Sequence, residues 1–216
     1  LYLDQTYTNK AMAQAQLFLS RNPKSEYEDK ALNVLKDLRE RKAKIAFKQA
    51  MLYYDLTYFK AAKLAFELMI NEFPDSQFRE EAQFMLYKSA HDLAGASTDK
   101  RKIERYEESQ IYYNKFLRKF PDSEFTRDAR TMHASGERSL DRLREDRLEQ
   151  VQINLYRRIE TNVDLAQRTD LDSERAEAME AAMEAYEELR DEYPASPWLG
   201  KADGLMSEMD EAQGTD

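Results

Sequence analysis

Four prolines stand in one repeated frame, and that frame limits what the chain can fold into more than any other feature. The frames are Asn22-Pro23-Lys24-Ser25, Phe73-Pro74-Asp75-Ser76, Phe120-Pro121-Asp122-Ser123 and Tyr193-Pro194-Ala195-Ser196. Two residues after each proline stands Ser: Ser25, Ser76, Ser123 and Ser196. Four after it stands an aromatic: Tyr27, Phe78, Phe125 and Trp198. Eight after it stands Ala: Ala31, Ala82, Ala129 and Ala202. Eleven after it the residue is apolar: Val34, Met85, Met132 and Leu205. Upstream, the fifth residue back is Phe18, Met69, Phe116 or Leu189, and the eighth is Ala15, Phe66, Tyr113 or Tyr186. The twelfth is small: Ala11, Ala62, Ser109 or Ala182.

Each column has a physical reason. Proline has no N–H and disfavours helical geometry in the residue before it, so it ends one helix. Ser two residues on is a good N-cap for the next helix. The small columns mark places where two helices cross closely. The unit is helix–turn–helix, and stacked units form an α-solenoid. The pattern resembles the tetratricopeptide (TPR) repeat, but the prolines are 51, 47 and 73 residues apart, against about 34 in the standard repeat. The helices are therefore longer than usual. Eight are expected, over 5–21, 25–55, 58–72, 76–94, 99–119, 124–167, 173–192 and 197–212, two of them unusually long. Gly136 beside Ser135 is the expected kink in the longest. The fold class is all-α, a TPR-like α-solenoid. Composition agrees, because good helix formers dominate and the whole chain holds 5 Gly and 5 Pro.

Charge divides the chain. Residues 1–140 hold 24 Lys+Arg against 21 Asp+Glu, while 141–216 hold 9 against 21. Two regions with different surfaces are expected: repeats over 1–136, and an acidic extension over 137–216 made of a long helix and one further repeat. The net charge of −9 argues against non-specific nucleic-acid binding. The chain opens with Leu1 and shows no basic segment followed by an apolar stretch, so a processed or partial chain is expected.

Candidate chemistry is sparse. With no Cys, thiol nucleophiles, disulfides and Cys-ligated metals are excluded. The two histidines, His91 and His133, have Lys88 and Arg130 three residues earlier, so the Glu-x-x-His pairs of di-iron bundles are missing. No Gly-rich phosphate loop occurs. Asp170-Leu171-Asp172-Ser173-Glu174 lacks the Gly and closing Glu of a calcium loop and reads as a helix N-cap cluster. Glu177, Glu180, Glu184, Glu187 and Asp191 recur at helical spacing opposite Met179, Ala182, Tyr186 and Leu189, which makes them a solvated face. Arg39, Arg41, Lys42, Lys44 and Lys48 form a basic stretch, read as a solvated helix face or a surface for an acidic protein partner. No metal, cofactor or catalytic residue is expected.

Tyr53, Tyr54, Tyr58 and Phe59 cluster at one helix–helix corner. Four aromatics within seven residues cannot all face one way. They serve either as repeat core or, for the ones that reach the surface, as interface anchors. Lys60, Arg101, Lys102 and Arg105 are the candidate cations for steering an acidic partner.

Several of these segments, taken in order, resemble one family. They are Leu3-Asp4-Gln5-Thr6-Tyr7-Thr8, Ala50-Met51-Leu52-Tyr53-Tyr54, Tyr58-Phe59-Lys60-Ala61-Ala62, Glu72-Phe73-Pro74-Asp75-Ser76, Arg79-Glu80-Glu81-Ala82, Glu104-Arg105-Tyr106 and Lys119-Phe120-Pro121-Asp122-Ser123. They are similar to the BamD (ComL-type) lipoproteins, most closely the Bacteroidetes-type members, over about residues 1–135. The family's lipidated Cys and first repeats are not in this chain, and 137–216 extends past the family's usual end. The resemblance implies a non-enzymatic scaffold of the outer-membrane β-barrel assembly machine. Its C-terminal repeats would hold the periplasmic domains of the barrel-forming assembly protein, with other assembly lipoproteins as further partners. It implies a place on the periplasmic face of the outer membrane, lipid-anchored in full length. The alternative is another envelope TPR adaptor, tied to cell division or peptidoglycan.

Overall fold

A computed structural model of the chain describes residues 5–213. Leu3 and Asp4 of the family-like opening lie outside the described residues. Among these residues there are eight helices: α1 (Thr6–Arg21), α2 (Glu28–Asp55), α3 (Phe59–Glu72), α4 (Arg79–Gly95), α5 (Asp99–Lys119), α6 (Thr126–Arg168), α7 (Asp172–Glu192) and α8 (Leu199–Gln213). The fold is all-α and of the TPR-like α-solenoid class. The two long helices are α2, with 28 residues, and α6, with 43. At ~1.5 Å per residue they are ~42 and ~64 Å long.

The helices that follow a proline start about three residues later than the sequence suggests, and one turn explains all four. The residue before each proline leaves the helix with φ −127, −122, −133 and −130° at Asn22, Phe73, Phe120 and Tyr193. Each Ser is then placed one turn before its helix. Its hydroxyl accepts the N–H two residues on, from Tyr27, Phe78 and Phe125 at 3.2 Å and from Trp198 at 3.3 Å. Its carbonyl accepts the N–H three on, from Glu28, Arg79, Thr126 and Leu199. The Ser column therefore caps a tight turn that feeds the helix and does not stand at the helix N-cap itself.

The chain divides into two compact units, 1–140 and 141–216. In the first, each helix packs on its neighbours in sequence, from α1 on α2 through α4 on α5. Its core holds Ala43, Phe47, Phe66, Met69, Ala82, Phe84, Tyr87, Tyr113, Phe116 and Ala129. In the second, Leu155, Ile159 and Val163 of α6 meet Ala182, Ala185 and Leu189 of α7 and Ala202, Met206 and Met209 of α8.

The columns account for the packing. Ala62, Ala82, Ala129, Ala182 and Ala202 are all 0% exposed. A longer side chain at any of them would enter occupied space. The aromatic column forms ring pairs with an earlier helix. Phe78 stacks on Phe47 at 5.4 Å and Phe125 on Phe84 at 4.8 Å, while Trp198 lies 5.2 Å from Tyr156. In the first frame Tyr27 is 55% exposed.

Gly136, the residue expected to kink the longest helix, stands at a close approach. The helix runs through it, and a Cβ there would lie 3.3 Å from His91 Cδ2 and 3.4 Å from Tyr106 Cδ1. Glycine is what lets α6 approach these two rings.

Candidate functional site

Both histidines pack among aromatic rings of the first unit. His133 stacks on Tyr113 with ring centroids 3.9 Å apart, and its Nε2 is 3.5 Å from Glu137. His91 meets Tyr87 and Tyr106 edge-on, and its Nδ1 is 3.3 Å from Asp92 Oδ1. Among the described residues no three His, Asp or Glu side chains stand where they could hold a metal ion.

The basic stretch of α2 turns partly inward. Arg39 donates to the Glu72 carbonyl at 3.3 Å and lies 3.7 Å from Asp75, while Lys42 pairs with Glu72 at 3.5 Å. Between them Glu40 accepts from Ser76 Oγ at 3.1 Å and from the Gln77 N–H at 3.2 Å. These three residues fasten the second proline turn to the long helix. The acid stripe of α7 is exposed along its length, with Arg158 of α6 paired to Glu184. Near 170–174, Thr169 caps: its hydroxyl accepts the Leu171 N–H at 3.3 Å and donates to Glu174 at 2.8 Å.

The aromatic corner carries the most distinctive geometry. Past the end of α2, the Tyr58 N–H reaches the Tyr53 carbonyl at 2.9 Å, and the Thr57 N–H reaches that of Tyr54 at 2.8 Å. That pair of bonds is a Schellman motif, which needs a left-handed residue between them. Thr57 fills the place at φ 61°, where glycine is the unstrained choice and a β-branched residue is costly. The motif separates the tyrosines. Tyr53 and Tyr54 are half-buried against the unit's core. Tyr54 donates its hydroxyl to Asp92, lies 5.5 Å from the Phe59 ring and carries Lys88 Nζ 5.3 Å above it. Burial and then the Asp92 carboxylate hold its phenol well above the usual range. Burial alone would raise Asp92, but the bonds from His91 and Tyr54 outweigh it and lower its pKa.

Tyr58 points the other way and is 61% exposed. With Phe59, Ala61, Leu64, Leu93 and Ala96 it lines a shallow, mostly apolar groove of about 500 Å³, and Lys60 stands in its wall. Arg101, Lys102 and Arg105 open the nearby α5. Lys102 is held by Asp99 at 2.9 Å and Arg105 by the Ser97 hydroxyl, whereas Lys60 and Arg101 are exposed without an ion pair among the described residues. The structure thus brings Tyr58 and Lys60 into one groove and leaves Tyr53 and Tyr54 behind it. Leu64, Leu93 and Ala96 were missed from sequence. Leu64 had a signal, being apolar on α3 outside every repeat column.

The first half of the chain matches a known family. Residues 1–106 fit the family model YfiO, described as outer membrane lipoprotein. That stretch belongs to the BamD-type YfiO family. It contains α1 to α4, the aromatic corner and the groove, and it ends at Tyr106 inside α5, short of the last family-like segment, Lys119 to Ser123. The description of that family places its members at the outer membrane. Among the described residues no helix is long and apolar enough to cross a membrane. Comparison with curated proteins gives no match.

Proposed function

We propose that residues 1–136 form a non-enzymatic docking scaffold of outer-membrane assembly that binds the periplasmic domains of the barrel-forming assembly protein. Residues 137–216 then form a separate acidic region that this binding does not need. The observation that carries the reading is the α2–α3 corner, which lies inside the YfiO match. There Tyr58 is exposed on an apolar groove beside Lys60, which suits a protein contact better than a small-molecule reaction. Tyr53 and Tyr54 support the corner from within, while Lys60, Arg101, Lys102 and Arg105 give it a basic rim. Charges of that kind act mainly on association rate and salt dependence, whereas a well-packed aromatic anchor costs ~2 kcal/mol or more when cut to Ala.

The test is calorimetric titration of the purified periplasmic domains into the full chain and into Tyr53→Ala, Tyr54→Ala and Tyr58→Ala, each paired with a thermal melt. Tyr58→Ala should keep its melting temperature and lose affinity. Tyr54→Ala should melt earlier, because it also removes the bond to Asp92. Undiminished affinity in all three folded variants would falsify the corner as the interface, and no binding to the parent chain would end the reading.

A further inference from the structure

We propose that the corner groove receives an apolar side chain from an acidic segment of a partner protein, so that the partner supplies the knob and this chain the hole. The proposal rests on the docking reading above and names the chemistry of what docks.

Exposed apolar surface is the first reason. Leu64 is 55% and Leu68 59% exposed on the outward face of α3, and neither serves a repeat column. Counted back from their own proline, the matching residues of α7 are Glu184 and Glu188. The repeat is therefore satisfied by carboxylates at these places, and leucine there is not a requirement of the fold. Shape is the second reason. Tyr58, Leu64, Leu93 and Ala96 line a recess of about 500 Å³, within the size range of pockets that accept a ligand group.

Charge supplies the class of partner. Residues 55–60 and 96–105 carry Lys60, Lys100, Arg101, Lys102 and Arg105 against Asp55, Asp99 and Glu104. Asp99 is already neutralised by Lys102. Lys60, Lys100 and Arg101 are exposed and have no ion pair among the described residues. A segment that places carboxylates beside its apolar residue meets this rim, while a basic one is repelled. Strain is a further sign. Thr57 is held left-handed at φ 61° where glycine would relax the turn, and strained backbone tends to persist where it serves a site.

The probe is a capped peptide with Leu-Phe flanked on each side by two Glu, compared with the same peptide flanked by Lys. Methyl NMR of the full chain reads Ala61, Leu64, Leu93 and Ala96. The Glu peptide should shift these signals saturably, and the Lys peptide should bind roughly tenfold more weakly or less. Ala96→Trp fills the groove from an exposed position and should abolish the shifts with the melt unchanged, while Ala96→Ser should retain them. Phosphatidylglycerol vesicles should not recruit the chain. Unmoved methyls, an equal response to the Lys peptide, full binding by folded Ala96→Trp, or recruitment to the vesicles would each overturn the proposal. If the Glu peptide fails while the barrel-protein domains still bind, the groove is wrong and the docking reading stands. If the peptide binds and those domains do not, the docking reading fails alone.

Discussion

In the first unit Phe125 lies flat on Phe84, and in the second Trp198 leans on Tyr156. Both pairs sit above an alanine with no exposure, Ala129 in one and Ala202 in the other. Both follow a Pro-x-Ser turn with the same pair of hydrogen bonds. Outside those columns the units part. Along α3, Leu64 and Leu68 face solvent, and along α7 Glu184 and Glu188 take their places. The first unit carries 24 Lys+Arg against 21 Asp+Glu, and the second 9 against 21. The difference shows that fold and surface are written in separate positions of one repeat. From the second frame on, the alanine column and the aromatic rings pack against neighbouring helices and have little freedom. Outward residues are largely solvated and are not fixed by the packing, so one unit can be apolar and basic where the other is acidic.

The strongest way to break this comparison is to remove a ring. Phe84 is 6% exposed and packs on Phe116 and Phe125. Phe84→Ala should cost ~3–5 kcal/mol. Trp198 is half-buried, so Trp198→Ala should cost less. Denaturant melts followed by circular dichroism measure both, and equal losses would mean the two stacks are not the same device at different burial.

Enlarging the alanine column should cost less. Ala82→Leu and Ala202→Leu should each destabilise by ~1–3 kcal/mol through overpacking. Because Trp198 is the only tryptophan, its fluorescence follows the second unit, and only Ala202→Leu should shift that signal. A parent-like melt for both variants would undo the shared columns.

Thr57→Gly sharpens the contrast from the opposite side, since the left-handed Thr belongs to the docking corner and not to the repeat. Relief of the strained φ should stabilise by ~1 kcal/mol. A rise in melting temperature is expected, and a fall would show that Thr57 makes a compensating contact.

The smallest effect concerns acid. The folded-state pKa of Asp92 is lowered by His91 and Tyr54 in spite of burial. Its contribution to stability is therefore present above the unfolded value, about 3.9, and is lost as pH falls through that value toward the folded one. Asp92→Asn should flatten this acid limb in the circular dichroism melt and leave the Trp198-detected transition at its parental pH dependence. An unchanged limb would remove Asp92 as its source.

The sequence by itself determined the helices and where they turn. Proline lacks an N–H and the Ser hydroxyl reaches only two residues on, so all four turns are set by local chemistry that repeats wherever the residues repeat. It also determined the core, because the Ala and aromatic columns recur at a spacing that puts them on one face. The candidate site was legible in part. Tyr58 and Lys60 were named and line the corner groove, and Arg101 is exposed at the start of α5, but Tyr53 and Tyr54 could not be told from Tyr58. Tertiary structure decided that. The partner that draws Tyr54 inward, Asp92, is 38 residues away on α4, and the rest of the groove wall, Leu93 and Ala96, comes from the end of the same helix. Tertiary structure likewise turned Arg39, Glu40 and Lys42 toward the second proline turn and placed Gly136 against His91. No local pattern encodes such pairings, because they depend on which helix face a distant segment happens to meet.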